Sequence, residues 1–137
     1  MSGKAIAYVV VSALPEGTAW AVWVVRGQAL KRSYLCRGER CSDEQMSPKL
    51  AMAQAMYRAM DMMSIKWPDL RKVDFVSNHS AALDLVPGRP GGLVATSRKA
   101  RSRRGAMEWC RDRARRIARG RSESSKAEPD ISEMLAM

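Results

Sequence analysis

Two apolar runs near the start of the chain limit most strongly what it can fold into. Ala5–Ala13 (AIAYVVVSA) is rich in β-branched residues and continuous rather than alternating, so it reads as a strand buried on both faces. Thr18–Val25 (TAWAVWVV) is a second β-branched and aromatic run, joined to the first by the turn Pro15-Glu16-Gly17. Trp20 and Trp23 stand three apart, which puts them on opposite faces of the pleat; the expectation is one core side chain and one surface side chain. Arg26-Gly27-Gln28 reads as a tight reversal. Ala29–Cys36 (ALKRSYLC) then reads as a third, more polar strand, completing an antiparallel meander.

Lys4 and the apolar run Ala5–Leu14 also have the outline of a short signal peptide. The run is valine-rich, stops at Pro15 and has no small-x-small cleavage site, so a first core strand accounts for it better. No stretch approaches the roughly eighteen apolar residues that a membrane span needs. The three cysteines are an odd number at no disulfide-framework spacing and, with ten methionines, point to a reducing compartment, here the cytoplasm. Cys36 and Cys41 are poorly spaced for zinc without a second ligand pair, and the sequence calls for no metal or cofactor.

Ser47-Pro48 starts a helix, with a hydroxyl at the N-cap and proline at the first helical position. Leu50, Ala53, Met56, Met60 and Met63 follow at helical spacing on one face. Core filling is the simplest role for those methionines, and a methionine-rich protein-binding groove is the alternative. Trp67-Pro68 closes the helix. Val73–Ser77 is a short fourth strand, Ser80 caps a brief helix over Ala81–Val86 that Pro87-Gly88 ends, and Leu93–Thr96 reads as a last short strand.

The chain then changes character. Its net charge of +10 is concentrated between Arg98 and Arg121, where eleven Lys and Arg face only Glu108 and Asp112, a segment net of +9. Composition thus divides the chain into a core over 1–96, an arginine-rich arm with a basic helix over 97–121, and a flexible acidic tail over 122–137. The end of that tail, Ile131–Met137, is a weak apolar patch suited to docking on a partner. Met107, Cys110, Ala114 and Ile117 share a helical face, which predicts a basic amphipathic helix over Ala106–Arg119 and leaves Arg98–Arg104 as the arm.

A basic segment attracts phosphate backbones, anionic lipid or acidic proteins. Arginine dominates here, and its planar fork suits phosphate oxygens; a merely solvated helix is the bland alternative. The candidate contacts are Arg98, Lys99, Arg101, Arg103, Arg104, Arg111, Arg115, Arg116 and Arg119. Trp109 stands among them, placed either to stack on an exposed base or, as is commoner, to pack on the protein body. His79 beside Asn78 invites a general-base role, but no nucleophile or metal ligand is near it in sequence, so a capping or surface histidine is the better reading.

Three antiparallel strands, a helix, a strand, a short helix and a later basic helix resemble the ribonuclease H fold. Trp20–Gly27 (WAVWVVRG) resembles that family's second strand, Gln45–Met60 its first long helix, and Val73–Leu83 (VDFVSNHSAAL) its fourth strand and following helix. Asp112–Ala118 (DRARRIA) more faintly resembles the helix bearing the family's last carboxylate. The likeness covers about residues 4–86, and 98–119 weakly. It implies an α/β domain and, in active members, clustered carboxylates holding two divalent metal ions that cleave RNA in RNA–DNA hybrids. The matching positions depart from that pattern: Val10 or Val11 in the first strand, Lys49 in the long helix, Asn78 after the fourth strand, and only Asp112 in the last helix.

The resemblance therefore implies a degenerate site without cleavage activity. The expected function is non-catalytic binding of RNA, an RNA–DNA hybrid or duplex DNA through phosphate contacts, with Lys49 assisting. The chain would be a subunit of a larger nucleoprotein assembly with protein partners and no membrane. A structural or inhibitory protein docking on an acidic protein surface is the alternative. An active nuclease with a rearranged site drawing on Asp74, Asp84 and Asp112 is the third reading.

Overall fold

The computed structural model describes residues 3–27, 30 and 32–120; the acidic tail and its Ile131–Met137 patch lie outside the described residues. Five strands, β1 (Lys4–Leu14), β2 (Gly17–Arg26), β3 (Ser33–Ser42), β4 (Lys72–Ser77) and β5 (Val94–Lys99), form one sheet in the order β3-β2-β1-β4-β5. β1 is central, antiparallel to β2 and parallel to β4. β3 continues the antiparallel side and β5 the parallel side. Helix α1 (Pro48–Lys66) lies on one face and helix α2 (Ala106–Ala118) on the other. Among the described residues no helix is long and apolar enough to cross a membrane.

The third strand is displaced from the expected Ala29–Cys36. It begins at Ser33 and runs on through Arg37-Gly38-Glu39-Arg40 to Ser42. The ten-residue β2 presents a ladder along its whole length, and charged side chains suit an edge strand that must not pair with another chain. Pairing, not propensity, therefore decides where β3 ends.

Both tryptophans of β2 are buried, which corrects the expectation that one faces solvent. Trp20 points into the core under α1 with Val9, Val11, Val22 and Phe75, while Trp23 points into the second core under α2 with Val10, Ala21 and Val76. Trp23 Nε1 has no hydrogen-bond acceptor among the described residues; the indole meets Tyr34 and Trp109 edge-on, with ring centroids 6.4 and 5.5 Å away. Cys36 and Cys41 split the same way, one toward each core.

On α1 the buried face is Ala51, Met52, Ala53, Ala55, Met56, Ala59, Met60 and Met63. Small alanines let the helix approach the sheet, and the flexible methionines fill what remains. Leu50 is not part of this face and stays 53% exposed. Ser47 makes no side-chain capping bond. The start of α1 is instead tied to the sheet by the buried Thr18, whose Oγ1 donates to the Glu44 carbonyl (2.8 Å) and accepts from the Met46 amide (2.9 Å). The brief helix after β4 is a 3₁₀ turn, Ser80–Leu85, with His79 rather than Ser80 at its cap position.

Helix α2 belongs to the same hydrophobic fold. Met107, Cys110 and Ala114 close the second core, and Arg40 of β3 holds the helix end, its Nη1 donating to the Ile117 (2.8 Å) and Ala118 (3.1 Å) carbonyls. That guanidinium adds to the backbone bond from the Gly120 amide to the Ile117 carbonyl (3.0 Å) in satisfying the last carbonyls of the helix. The boundary expected at 96/97 falls inside β5. Close packing of α2 on β3 needs Gly38: a Cβ there would lie 2.6 Å from Ile117 Cδ1 and 3.1 Å from Arg113 Cγ. Gly38→Val should therefore cost about 1–3 kcal/mol by overpacking. Ile117→Val, which removes that Cδ1, should recover part of the loss in denaturant unfolding of the double variant.

One ion pair reports on acid stability. Arg26 is 1% exposed and donates twice to Asp69, Nη1 to Oδ1 at 2.9 Å and Nη2 to Oδ2 at 2.7 Å. Those hydrogen bonds hold the Asp69 carboxyl at about 2, below its ordinary 3.8. A group depressed in the folded state stabilises fully above its unfolded value and loses that contribution as pH falls through the folded one. Asp69→Asn should thus lower the thermal midpoint at neutral pH, and the gap to the parent should close between about pH 4 and pH 2. A gap constant down to pH 2 would show that the pair contributes nothing.

Candidate nucleic-acid interface

The parallel pairing of β1 with β4 puts Val9 beside Ser77, so Val10 and Asn78 come next to one another where β4 ends. The chain then returns along β5, and residues 100–105 lead across the sheet end into α2. This route carries Arg103 and Arg111 to the same place. Val10, Asn78, Arg103, Met107 and Arg111 line a depression of about 150 Å³. A neighbouring depression of similar size, lined by Tyr8, Arg98, Arg101, Ser102 and Arg104 among others, shares Met107 with it. Sequence reasoning placed Met107 only on the apolar face of the basic helix and passed over Tyr8 and Ser102; Met107 at the second position of that helix was the available signal.

The two faces of β1 decide between the alternatives at its centre. Val10 faces α2 and the depression, while Val11 packs under α1. Asn78 is exposed at the rim. Lys49 is exposed on the first turn of α1 and does not line the depression. Asp112 is exposed on α2, and it is Arg111, one residue earlier, that reaches the depression. Lys49 and Asp112 are therefore not brought to the place where Val10 and Asn78 meet.

The basic residues divide into three groups. Arg98 and Lys99 are not part of an arm: they lie in β5, and Arg98 Nε donates to Asp74 Oδ2 at 3.0 Å. Arg101, Arg103 and Arg104 stand exposed in the connection, and Arg115, Arg116 and Arg119 are exposed toward the end of α2. Among the described residues the guanidinium groups of Arg101, Arg103, Arg104, Arg111, Arg115 and Arg119 have no ion-pair partner. Arg113 is buried instead, over the Trp109 ring at 5.0 Å. With one ring face under Arg113 and its edge on Trp23, Trp109 packs on the protein body rather than standing free to stack on a base.

No carboxylate lines either depression, and among the described residues no three His, Cys, Asp or Glu side chains group to hold a metal ion. Asp74 is engaged by Thr96 and Arg98, Asp84 is exposed in the 3₁₀ turn, and Asp112 points outward from α2. Hard divalent cations take anionic oxygen ligands, and an apolar floor with two guanidinium groups does not fit them. The thiols of Cys41 and Cys110 are equally unsuited to nucleophilic work: burial pushes Cys41 up to about 11 and Cys110 well above its ordinary range, which keeps both protonated at neutral pH. What the surface does offer is a cluster of cations around Met107.

This architecture is a ribonuclease H-like fold. The chain is similar to the ribonuclease H1 of the halophilic archaeon Halobacterium salinarum NRC-1, with a TM-score of 0.60 and 11% identity over 82% of this chain and 96% of that one. Weaker likenesses are to LC11 ribonuclease H1 in complex with an RNA/DNA hybrid (TM-score 0.49, 15% identity, 82% of this chain and 98% of that one) and to Thermus thermophilus RuvC (TM-score 0.36, 12% identity, 96% and 87%). No family model matches the sequence, and no curated protein is significantly similar to it.

Proposed function

We propose that the chain is a non-catalytic member of the ribonuclease H-like class that binds nucleic acid through its phosphate backbone. The observation that carries this reading is the cluster of unpaired arginines over the end of β4. There Val10 and Asn78 meet Arg103 and Arg111 with no carboxylate among them. Such a surface attracts polyanions and has no means of holding the metal ions that phosphodiester cleavage by this class requires. The solved neighbour named as a ribonuclease H1 supports nucleic acid as the ligand. A duplex or an RNA–DNA hybrid is the expected partner, with the chain acting as a cytoplasmic subunit of a nucleoprotein assembly.

Fluorescence anisotropy of the full chain against duplex DNA, duplex RNA, hybrid and single strands, with magnesium present, tests this. Binding to a duplex form with the probe left uncut is the expected result. Magnesium-dependent cleavage that Asp112→Asn abolishes would restore the nuclease reading.

A second reading, docking on a protein partner, is favoured by one observation. Leu50, Tyr57 and Leu85 are exposed around an apolar groove of about 470 Å³ beside α1, also lined by Met46, Ala53 and Pro87. Arg58 at its edge is already engaged by Glu39 and Asp61, so the groove suits an apolar partner more than an acidic one. It lies beside α1, on the sheet face opposite α2, so protein and nucleic acid need not compete.

A further inference from the structure

We propose that the depression beside Val10 is a site for a single phosphate group, one phosphodiester of the bound strand, held between Arg103 and Arg111 with the Asn78 amide as a third polar contact. The inference deepens the nucleic-acid reading and rests on it for the source of the phosphate. Four features of the site converge. Arg103 and Arg111 reach it from different elements, the connection after β5 and the second turn of α2, and neither is engaged by a carboxylate among the described residues. Its floor is Val10, 5% exposed, and the buried Met107, which lowers the local dielectric and strengthens charge attraction above it. Asn78 is exposed at the rim and supplies an amide donor.

The fourth feature is the start of α2 itself. Gly105 stands at its N-cap with φ 65° and brings no side-chain oxygen to the first turn, and no side chain caps the helix there. The first turn carries the partial positive charge of a helix start, offset in part by Glu108 in the same turn. Met107, in that first turn, lines the depression directly. A volume of about 150 Å³ accommodates a phosphate group but not a base stacked on an aromatic ring. Discrimination there is therefore for charge and shape, not sequence.

Two measurements decide the matter. The first is titration of the full chain with inorganic phosphate at constant ionic strength, followed by NMR of the Asn78 side-chain amide and the Met107 methyl group. Saturable shifts at both are expected. Asn78→Asp, which sets a carboxylate between the two arginines, should abolish the Met107 methyl shift, the one of the two signals this variant retains, and Arg71→Gln, at the opposite end of β4, should leave both shifts intact. The second is duplex affinity. Arg103→Gln and Arg111→Gln should each weaken binding by about tenfold or more, as for lost charge-assisted hydrogen bonds. Arg119→Gln should weaken it by only about two- to threefold, as for a screened surface charge.

Linear, unsaturated phosphate shifts together with equal losses for Arg103, Arg111 and Arg119 would overturn the site while leaving the nucleic-acid reading standing. Saturable phosphate binding without any duplex affinity would do the reverse, keeping the site and removing the nucleic acid.

Discussion

Raising salt from 50 to 200 mM should weaken binding of the full chain to a duplex by at least about 10³-fold. Lys99 and six arginines, at 101, 103, 104, 111, 115 and 119, are without an ion-pair partner among the described residues. Each one that neutralises a phosphate releases a counterion, so about seven contacts give a log–log slope near −6. Arg98 and Arg113 are left out of that number. Arg98 Nε already bonds Asp74, and Arg113 is buried over Trp109, so neither is counted as a full contact. Substituting any one of the seven should reduce the slope by about one unit, whereas Arg113→Gln should change stability and leave the slope alone. An affinity flat over that salt range would remove the electrostatic mechanism and turn attention to the groove beside α1.

A chain ending at Thr96 should fail to fold, rather than fold without its basic segment. It would cut β5 after three of its six residues and remove α2 entirely. Trp23, Val10, Ala21 and Val76 would lose the side chains that cover them, Met107, Cys110 and Ala114. A single buried large-to-small substitution costs about 2–5 kcal/mol, and a native domain has only about 5–15 kcal/mol to lose. The loss of a whole covering helix exceeds that margin. The expected readout is a broad, uncooperative thermal transition with dye-binding apolar surface. A sharp melt close to that of the full chain would mean that residues 97–120 are a separable arm. For this reason the basic surface is best probed by substitutions that keep α2 in place.

The strand pattern was legible because β1 and β2 are apolar without interruption, and such runs persist only where both faces are covered. The same fact was under-used at Trp20 and Trp23. Their spacing correctly assigns opposite faces, but a sheet with helices on both sides has no solvent face at its centre. The start of α1 was legible from Ser47-Pro48, although the bond that secures it comes from Thr18, twenty-eight residues before Met46. The full reach of β3 was not legible, because Arg37–Arg40 is strand only through its pairing with β2.

The site divides along the same line. The sequence by itself determined the ingredients: a strongly basic segment, an amphipathic helix within it, and Val10 and Asn78 at positions where the ribonuclease H resemblance leads one to expect acids. The tertiary structure alone decided which of those ingredients meet. The parallel register of β1 and β4 sets Asn78 beside Val10, and the turn from β5 into α2 brings Arg103 and Arg111 over them. It also withdraws Arg113 and Trp109 into the packing of α2 and keeps Lys49 and Asp112 away from the depression. The physical reason is range. Charge, apolar period and capping are properties of neighbours along the chain, whereas a binding site joins residues far apart in sequence, whose distances are set by sheet register and helix packing.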